Sequence, residues 1–197
     1  ILIGDEHQNG YYKNNIGNYQ LQIGDQRIDV FSCIKGSNED SLTGTSQGDY
    51  MENSEKSFVA GDSGDDRIIG TKLDEWIFGD SGKDQLLTED GNDVIYAGSG
   101  DDYISSGAGN DFLDSGTGSD FMDGGAGDDI YSYYSGAGID SIKDSQGENM
   151  IVFGDGITTD QITVKRSNWN DIKMIFNEGE DALIIKNYCI DDDARGF

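Results

Sequence analysis

AGSGDDYIS, SGAGNDFLD, SGTGSDFMD and GGAGDDIYS follow one another without a gap from Ala97 to Ser132. Glycine fills places two and four of each nine-residue block, aspartate place six, and an apolar or aromatic residue place eight. The aspartates are Asp102, Asp111, Asp120 and Asp129, and the eighth-place residues are Ile104, Leu113, Met122 and Tyr131. A fixed short period of this kind marks a solenoid, in which each unit buries its apolar side only against its neighbours. Only places seven to nine, for example Tyr103-Ile104-Ser105, have strand character, and alternation sends the middle residue inward. The other six residues form a turn, so two blocks complete one coil of about 18 residues with two facing parallel sheets. The fold expected is therefore all-β, a two-sheet parallel β-helix.

Outward from this stretch the pattern continues with less regularity. Upstream, GDSGDDRII, GTKLDEWIF, GDSGKDQLL and TEDGNDVIY start at Gly61, and their eighth places are Ile68, Ile77, Leu86 and Ile95. The block Gly70–Phe78 departs from the rule, with Leu73 for the fourth-place glycine and Glu75 for the aspartate, and its turn is expected to bind metal poorly or not at all. Residues 36–60 (GSNEDSLT, GTSQGDYME, NSEKSFVA) form lead-in coils that place Leu42, Met51 and Val59 inward but lack the glycine pair and the regular aspartate. Downstream, Tyr133 and Tyr134 are inserted, and the pattern returns once as SGAGIDSIK with Asp140 and Ile142.

The flanks differ. In 1–35, Tyr19–Ile23 and Gln26–Phe31 alternate around Gly24-Asp25, which suits a hairpin with a glycine-first loop, with Leu21, Ile23, Ile28 and Val30 on its buried face. Gly4–Tyr12 has the form of a worn repeat. In 146–197, Met150–Phe153, Ile162–Lys165, Asp171–Phe176 and Ala182–Tyr188 are short strand-like runs without the ninefold period, expected to form an antiparallel cap over the open end of the coil. The expected layout is an N-terminal cap (1–35), the repeat region (36–145, regular over 61–143) and a C-terminal cap (146–197).

Charge narrows the function. The chain carries 39 acidic and 13 basic residues, a net charge of −26. Nucleic acid and anionic membranes are poor partners for such a surface, and cations are good ones. No run of 18 apolar residues offers a transmembrane segment. Stacked turns that present one carboxylate and several glycine carbonyls each suit a hard cation that takes six to eight oxygens, which is the chemistry of calcium. The turns on one side carry Asp66, Asp84, Asp102, Asp120 and then Asp140, and those on the other carry Glu75, Asp93, Asp111 and Asp129. Zinc-type sites would need His and Cys clusters, yet His7 is the lone histidine and Cys33 and Cys189 lie far apart, read as reduced packing residues. Ser46 in Gly44–Gly48 matches a nucleophile-elbow pattern, and Ser63 and Ser81 lie in protease-like GDSG runs. A serine triad needs a positioned histidine, so no enzyme is expected.

These blocks resemble the calcium-binding repeats of RTX proteins, over roughly Gly36–Lys143, and the segment beyond them resembles the end of the repeat region in haemolysin-type toxins. The resemblance implies a β-roll with calcium between stacked turns. One turn gives the carbonyls of places two and four and the sixth-place carboxylate, and the next turn on that side gives the carbonyls of places one, three and five. It implies Gly107, Gly109 and Asp111 with Gly124, Ala126 and Asp128, and Gly98, Gly100 and Asp102 with Ser115, Thr117 and Ser119. It implies Asp80, Gly82 and Asp84 with Ala97, Ser99 and Asp101, and Glu89, Gly91 and Asp93 with Ser106, Ala108 and Asn110. A weaker set is Asp62, Gly64 and Asp66 with Gly79, Ser81 and Lys83, where the lysine sits in the loop. Gly116, Gly118 and Asp120, then Gly125, Gly127 and Asp129, and finally Asp140 extend the two columns. Stacked turn pairs of this kind imply on the order of five or six Ca2+ ions.

The resemblance further implies a secreted, non-enzymatic module that crosses a type I secretion machinery unfolded and folds outside on calcium, as part of a haemolysin-type toxin. The alternatives are the same module in a large adhesin that binds a host-cell surface or glycan, or the C-terminal part of a secreted lipase or protease. Tyr103, Phe112 and Phe121 point outward and are candidates for an exposed aromatic strip.

Overall fold

The computed structural model describes residues 2–3, 20–23, 26–29, 41–53, 55–144, 146–154, 157–167, 170–176 and 179–186. His7, Cys33, Cys189, Val30, Phe31 and the worn repeat at 4–12 lie outside the described residues. Near the N-terminus β2 (Gln20–Ile23) and β3 (Gln26–Asp29) pair antiparallel with Leu21 opposite Ile28, and β1 (Leu2–Ile3) adds to β2.

The rest is a parallel β-roll. One sheet stacks β4 (Ser41–Thr43), β6 (Phe58–Ala60), β8 (Trp76–Ser81), β10 (Val94–Ser99), β12 (Phe112–Asp114), β14 (Ile130–Tyr133) and β16 (Met150–Phe153). The facing sheet stacks β5 (Tyr50–Glu52), β7 (Arg67–Ile69), β9 (Gln85–Leu87), β11 (Tyr103–Ser105), β13 (Phe121–Asp123), β15 (Ile139–Lys143) and β19 (Asp181–Lys186). Register follows the eighth place: Ile77, Ile95, Leu113 and Tyr131 align in one sheet, and Ile68, Leu86, Ile104, Met122 and Ile142 in the other. From Ile68 to Tyr131 each of these side chains is at most 1% exposed. They form one continuous apolar column between the sheets. The lead-in residues join it, with Leu42 opposite Val59 and Met51 opposite Ile68.

Two features differ from the sequence expectation. Met150–Phe153 is a seventh parallel strand of the roll, not part of an antiparallel cap, and Asp181–Lys186 also pairs in parallel, with β15. Among the described residues beyond it, β18 (Ile172–Phe176) and β17 (Thr163–Arg166) run antiparallel. The physical reason is the insertion at Tyr133-Tyr134. It lengthens the coil so that Met122 pairs with Ile142 and Tyr131 with Ile151, a step of 20 residues. Both tyrosines are buried, and the Tyr133 ring packs 4.9 Å from Phe176 and 6.4 Å from Phe153, so the apolar column ends in an aromatic plug. The last strand, β17, is exposed along its length and carries Lys165 and Arg166, charges that discourage edge pairing.

The second correction concerns the outward aromatics. Consecutive blocks alternate between sheets, so Phe112 lies beside Tyr96 on one face, whereas Tyr103 and Phe121 stack at 5.3 Å on the other. They make no common strip.

Because a single side chain per block fills the interior, truncation is expensive. Leu113→Ala is expected to destabilise the folded roll by about 2–5 kcal/mol, read from the urea midpoint in saturating calcium.

Candidate metal centre

Each turn presents its sixth-place carboxylate in the same way. Oδ1 accepts the backbone N–H of the sixth-place residue one coil earlier. Asp66 bonds to Asp84 Oδ1, Asp84 to Asp102 Oδ1 and Asp102 to Asp120 Oδ1, each at 2.8 Å, and Asp120 to Asp140 Oδ1 at 3.0 Å. On the other side Glu75, Asp93 and Asp111 donate to Asp93, Asp111 and Asp129. The acids thus lie in two columns, one turn apart.

The second oxygen has no such partner. Oδ2 of Asp66, Asp84, Asp102, Asp120 and Asp140 in one column, and of Asp93, Asp111 and Asp129 in the other, is buried without a hydrogen bond. Hydroxyls near two of them are committed elsewhere: Thr88 Oγ1 donates to the Ser106 carbonyl and Ser106 Oγ to that of Gly124, each at 2.9 Å. An unpaired buried carboxylate oxygen costs more than the roughly 1–3 kcal/mol of a neutral group, and eight of them in register call for a common counter-ion.

The turns supply further oxygens around these. A Cβ on Gly79 would lie 2.5 Å from Asp84 Oδ2 and 2.5 Å from the Ala97 carbonyl oxygen. The sixth-place carboxylate and the first-place carbonyl of the next turn therefore converge on one space. Fourth-place carbonyls of Gly64, Gly82, Gly91, Gly100 and Gly109 point at the fourth-place glycine of the next turn, where any Cβ would collide with them. Third-place carbonyls of Ser81, Ser99, Ala108, Thr117 and Ala126 accept the N–H of the fourth-place glycine one turn earlier at 2.8–2.9 Å. The second-place carbonyls of Asp62, Glu89, Gly98 and Gly107 accept from the next turn's third place. A carbonyl with one such bond retains a second lone pair. Among fifth-place residues Asn110, Ser119 and Asp128 are exposed, and the backbone N–H of each bonds to the fifth-place side chain one coil earlier. Lys83 is exposed as well. Among the described residues no three His, Cys, Asp or Glu side chains cluster as a ready metal group. The acids are strung one per turn, so any ion there must also draw on main-chain oxygens, a donor set that suits a hard cation.

The second place decides how a turn treats its acid. Asp62, Asp80 and Glu89 stand there with φ of 75°, 71° and 78°, the left-handed conformation that glycine holds in the regular blocks. Thr71 does not adopt it. Its N–H and hydroxyl instead donate to Glu75 at 2.9 Å each, and the buried Asn53 amide also donates to Glu75. Asp49 repeats the arrangement, accepting the Thr45 N–H at 2.6 Å and hydroxyl at 2.8 Å. Asp49 is a sixth-place acid that the sequence reading passed over, because no glycine pair flags its block. It is recognisable by the distance to Met51, two residues on.

Of the three serines in nucleophile-like runs, Ser81 ends β8 and the other two lie between strands. Ser63 and Ser81 form a parallel bridge with each other, and Ser46 is exposed in the bend before β5.

Burial raises the carboxyl pKa values, and carboxylates along each column add to the effect. Asp120 and Asp129 are pushed up to about 6, Asp84 and Asp93 to about 7, and Asp102 and Asp140 to about 8. Asp66 and Asp111 shift in the same direction. In an unfolded chain they titrate near about 3.9. Between about pH 4 and pH 8 the metal-free folded state therefore holds protons that the unfolded chain has released, and its stability falls as pH rises through that window. In chelator, circular dichroism is expected to show more β structure near pH 4.5 than near pH 8. β structure that grows with pH there would contradict the raised carboxyls.

Comparison with protein families places this geometry. Residues 60–139 match the model of the RTX calcium-binding nonapeptide repeat in five overlapping windows, from 60–95 to 105–139. A comparison with curated proteins finds no match.

Proposed function

Residues 60–139 belong to the RTX calcium-binding nonapeptide repeats, and from that premise we propose that the chain is the calcium-gated folding module of a haemolysin-type toxin. In this reading it passes a type I secretion machinery unfolded, folds outside the cell on calcium, and carries no catalysis of its own. The observation that carries the proposal is the set of eight buried carboxylate oxygens without partners, in two columns.

Calcium, when bound, supplies the positive charge and the open demand for six to eight oxygens that these turns lack. The chain's own residues do the rest. Asp84, Asp102 and Asp120 in one column and Asp93, Asp111 and Asp129 in the other would hold the ions. The glycine and first-place carbonyls would complete their shells. Asp66 and Asp140 lie at the ends of one column. The turns of Asp49 and Glu75 stay outside this set, since threonine already satisfies both acids. Where extracellular calcium is plentiful the ions replace repulsion along the columns by attraction and the coils stack. Where it is scarce, carboxylates repel along each column, and an extended chain suits a narrow export channel.

An adhesin context finds support in the outer face of the second sheet, where Tyr50 is 65% and Tyr103 42% exposed. Exposed aromatic rings are common contacts for glycans and cell surfaces.

At pH 8 circular dichroism should be coil-like in chelator and β-rich in millimolar calcium, the range of extracellular calcium modules. Identical spectra would overturn the proposal. Asp111→Ala is expected to raise the calcium midpoint, whereas Glu75→Gln should leave the number of ions bound unchanged. Equilibrium titration with a calcium-selective electrode measures both.

A further inference from the structure

The ninefold count resumes beyond the matched region. In the block from Asp144 to Val152 (DSQGENMIV), residues 146–152 stack on the turn of Asp129 as a regular block would. Gly147 holds the fourth place with a φ of 91°, and the Gly127 carbonyl points at it. Asn149 holds the sixth place and accepts the Asp129 N–H at 2.8 Å, and the Glu148 N–H bonds to Asp128 Oδ1 at 2.8 Å.

What differs is the first place. Gly61, Gly79, Ala97, Ser106, Ser115 and Gly124 bring no charge there, whereas this block brings Asp144. Its Oδ2 accepts the Tyr131 phenol at 2.6 Å, and its Oδ1 accepts the Gln146 N–H at 3.1 Å. Above Gly124, Asp144 Oδ2, Tyr131 OH and Asp129 Oδ2 converge on one space: a Cβ there would lie 2.9 Å from Asp144 Oδ2 and collide with the other two. Asp129 is fully buried, and its Oδ2 has no partner. Two carboxylates thus face one another, and the nearest lysine in sequence, Lys143, is paired with Asp123 at 2.5 Å.

We propose that Asp129 and Asp144 together hold a divalent cation of the calcium class, at a site with two side-chain carboxylates where the other sites have one. The inference rests on the calcium reading above. It extends that reading to a residue outside the repeat match and gives Asp144 a ligand role and Tyr131 the role of orienting it. Oxygen-only donors suit calcium over a transition metal, and the second carboxylate raises the charge of the site, a lever by which calcium affinity is tuned. An ion here ties the lengthened coil, and with it the parallel strand β16, to the regular repeats.

The test compares calcium binding of the unmodified chain, Asp144→Asn and Asp111→Asn. Asp144→Asn is expected to weaken one ion by on the order of tenfold or more, with the remaining ions unchanged. If Asp144→Asn binds like the unmodified chain while Asp111→Asn loses an ion, this inference is overturned and the calcium reading stands. If neither variant changes binding, the calcium reading itself fails. Should Asp144→Asn not fold, a crystal structure of the calcium-loaded unmodified chain decides. An ion bonded to both Asp129 and Asp144 supports the site, and a space between them without one sinks it.

Discussion

In the eight sixth-place aspartates from Asp66 to Asp140, half of the carboxylate is a structural bond and half is an open demand. Oδ1 ties one turn to the next through a backbone N–H at 2.7–3.0 Å, and this ladder sets the spacing of the coils from Asp49 to Asn149. The same bond fixes Oδ2 in a dry position between turns, where it has no hydrogen-bond partner among the described residues. Replacing the acid by an apolar residue would remove the demand and the ladder together. Keeping it makes order conditional on positive charge from outside the chain, or on protons at low pH.

The apolar column cannot override that condition. It holds one side chain per nine residues, all fully buried from Ile68 to Met122, and among the described residues a second apolar cluster backs it only around Phe58, Ala60 and Phe78. Stacking gains arise only between neighbouring coils, as in other solenoids, so a coil whose acid is unsatisfied weakens both contacts at once. Local repulsion between carboxylates one turn apart is therefore transmitted along the column, which makes a cooperative response to calcium the natural consequence.

Much of this was legible in the sequence because the period is strict. Ninefold glycine and aspartate determine the turn, the eighth place determines the core, and alternation of blocks determines which acids share a column. Legibility failed where the spacing changed. Tyr133 and Tyr134 shift the count by two, and the block from Asp144 to Val152 lacks the second-place glycine and the aspartate, so the parallel strand Met150–Phe153 looked like part of a cap. Only the stacking of Gly147 on Gly127 and the bond from Asp129 to Asn149 identify it. Asp49 was obscured for the opposite reason. Its block keeps the acid and the core residue but replaces the glycine that draws the eye, and a hydrogen bond from Thr45 is not visible in a pattern of residue types.

That threonine points to a division within the roll. At Thr45 and Thr71 the second-place residue leaves the left-handed conformation and turns its N–H and hydroxyl onto the acid of its own turn. Asn53 adds an amide to Glu75 from a neighbouring coil. These turns close their own electrostatics with donors the chain already owns. Where glycine, aspartate or glutamate takes the second place, the backbone N–H is turned away and the acid is left open. The choice between a self-contained coil and an ion-dependent one thus falls to a single position per turn. In this chain the self-contained turns of Asp49 and Glu75 lie toward the N-terminal end of the roll, with the open turn of Asp66 between them, and open turns follow from Asp84 onward without interruption. Dependence on outside charge is therefore diluted in the first coils and undiluted in those that stack on them.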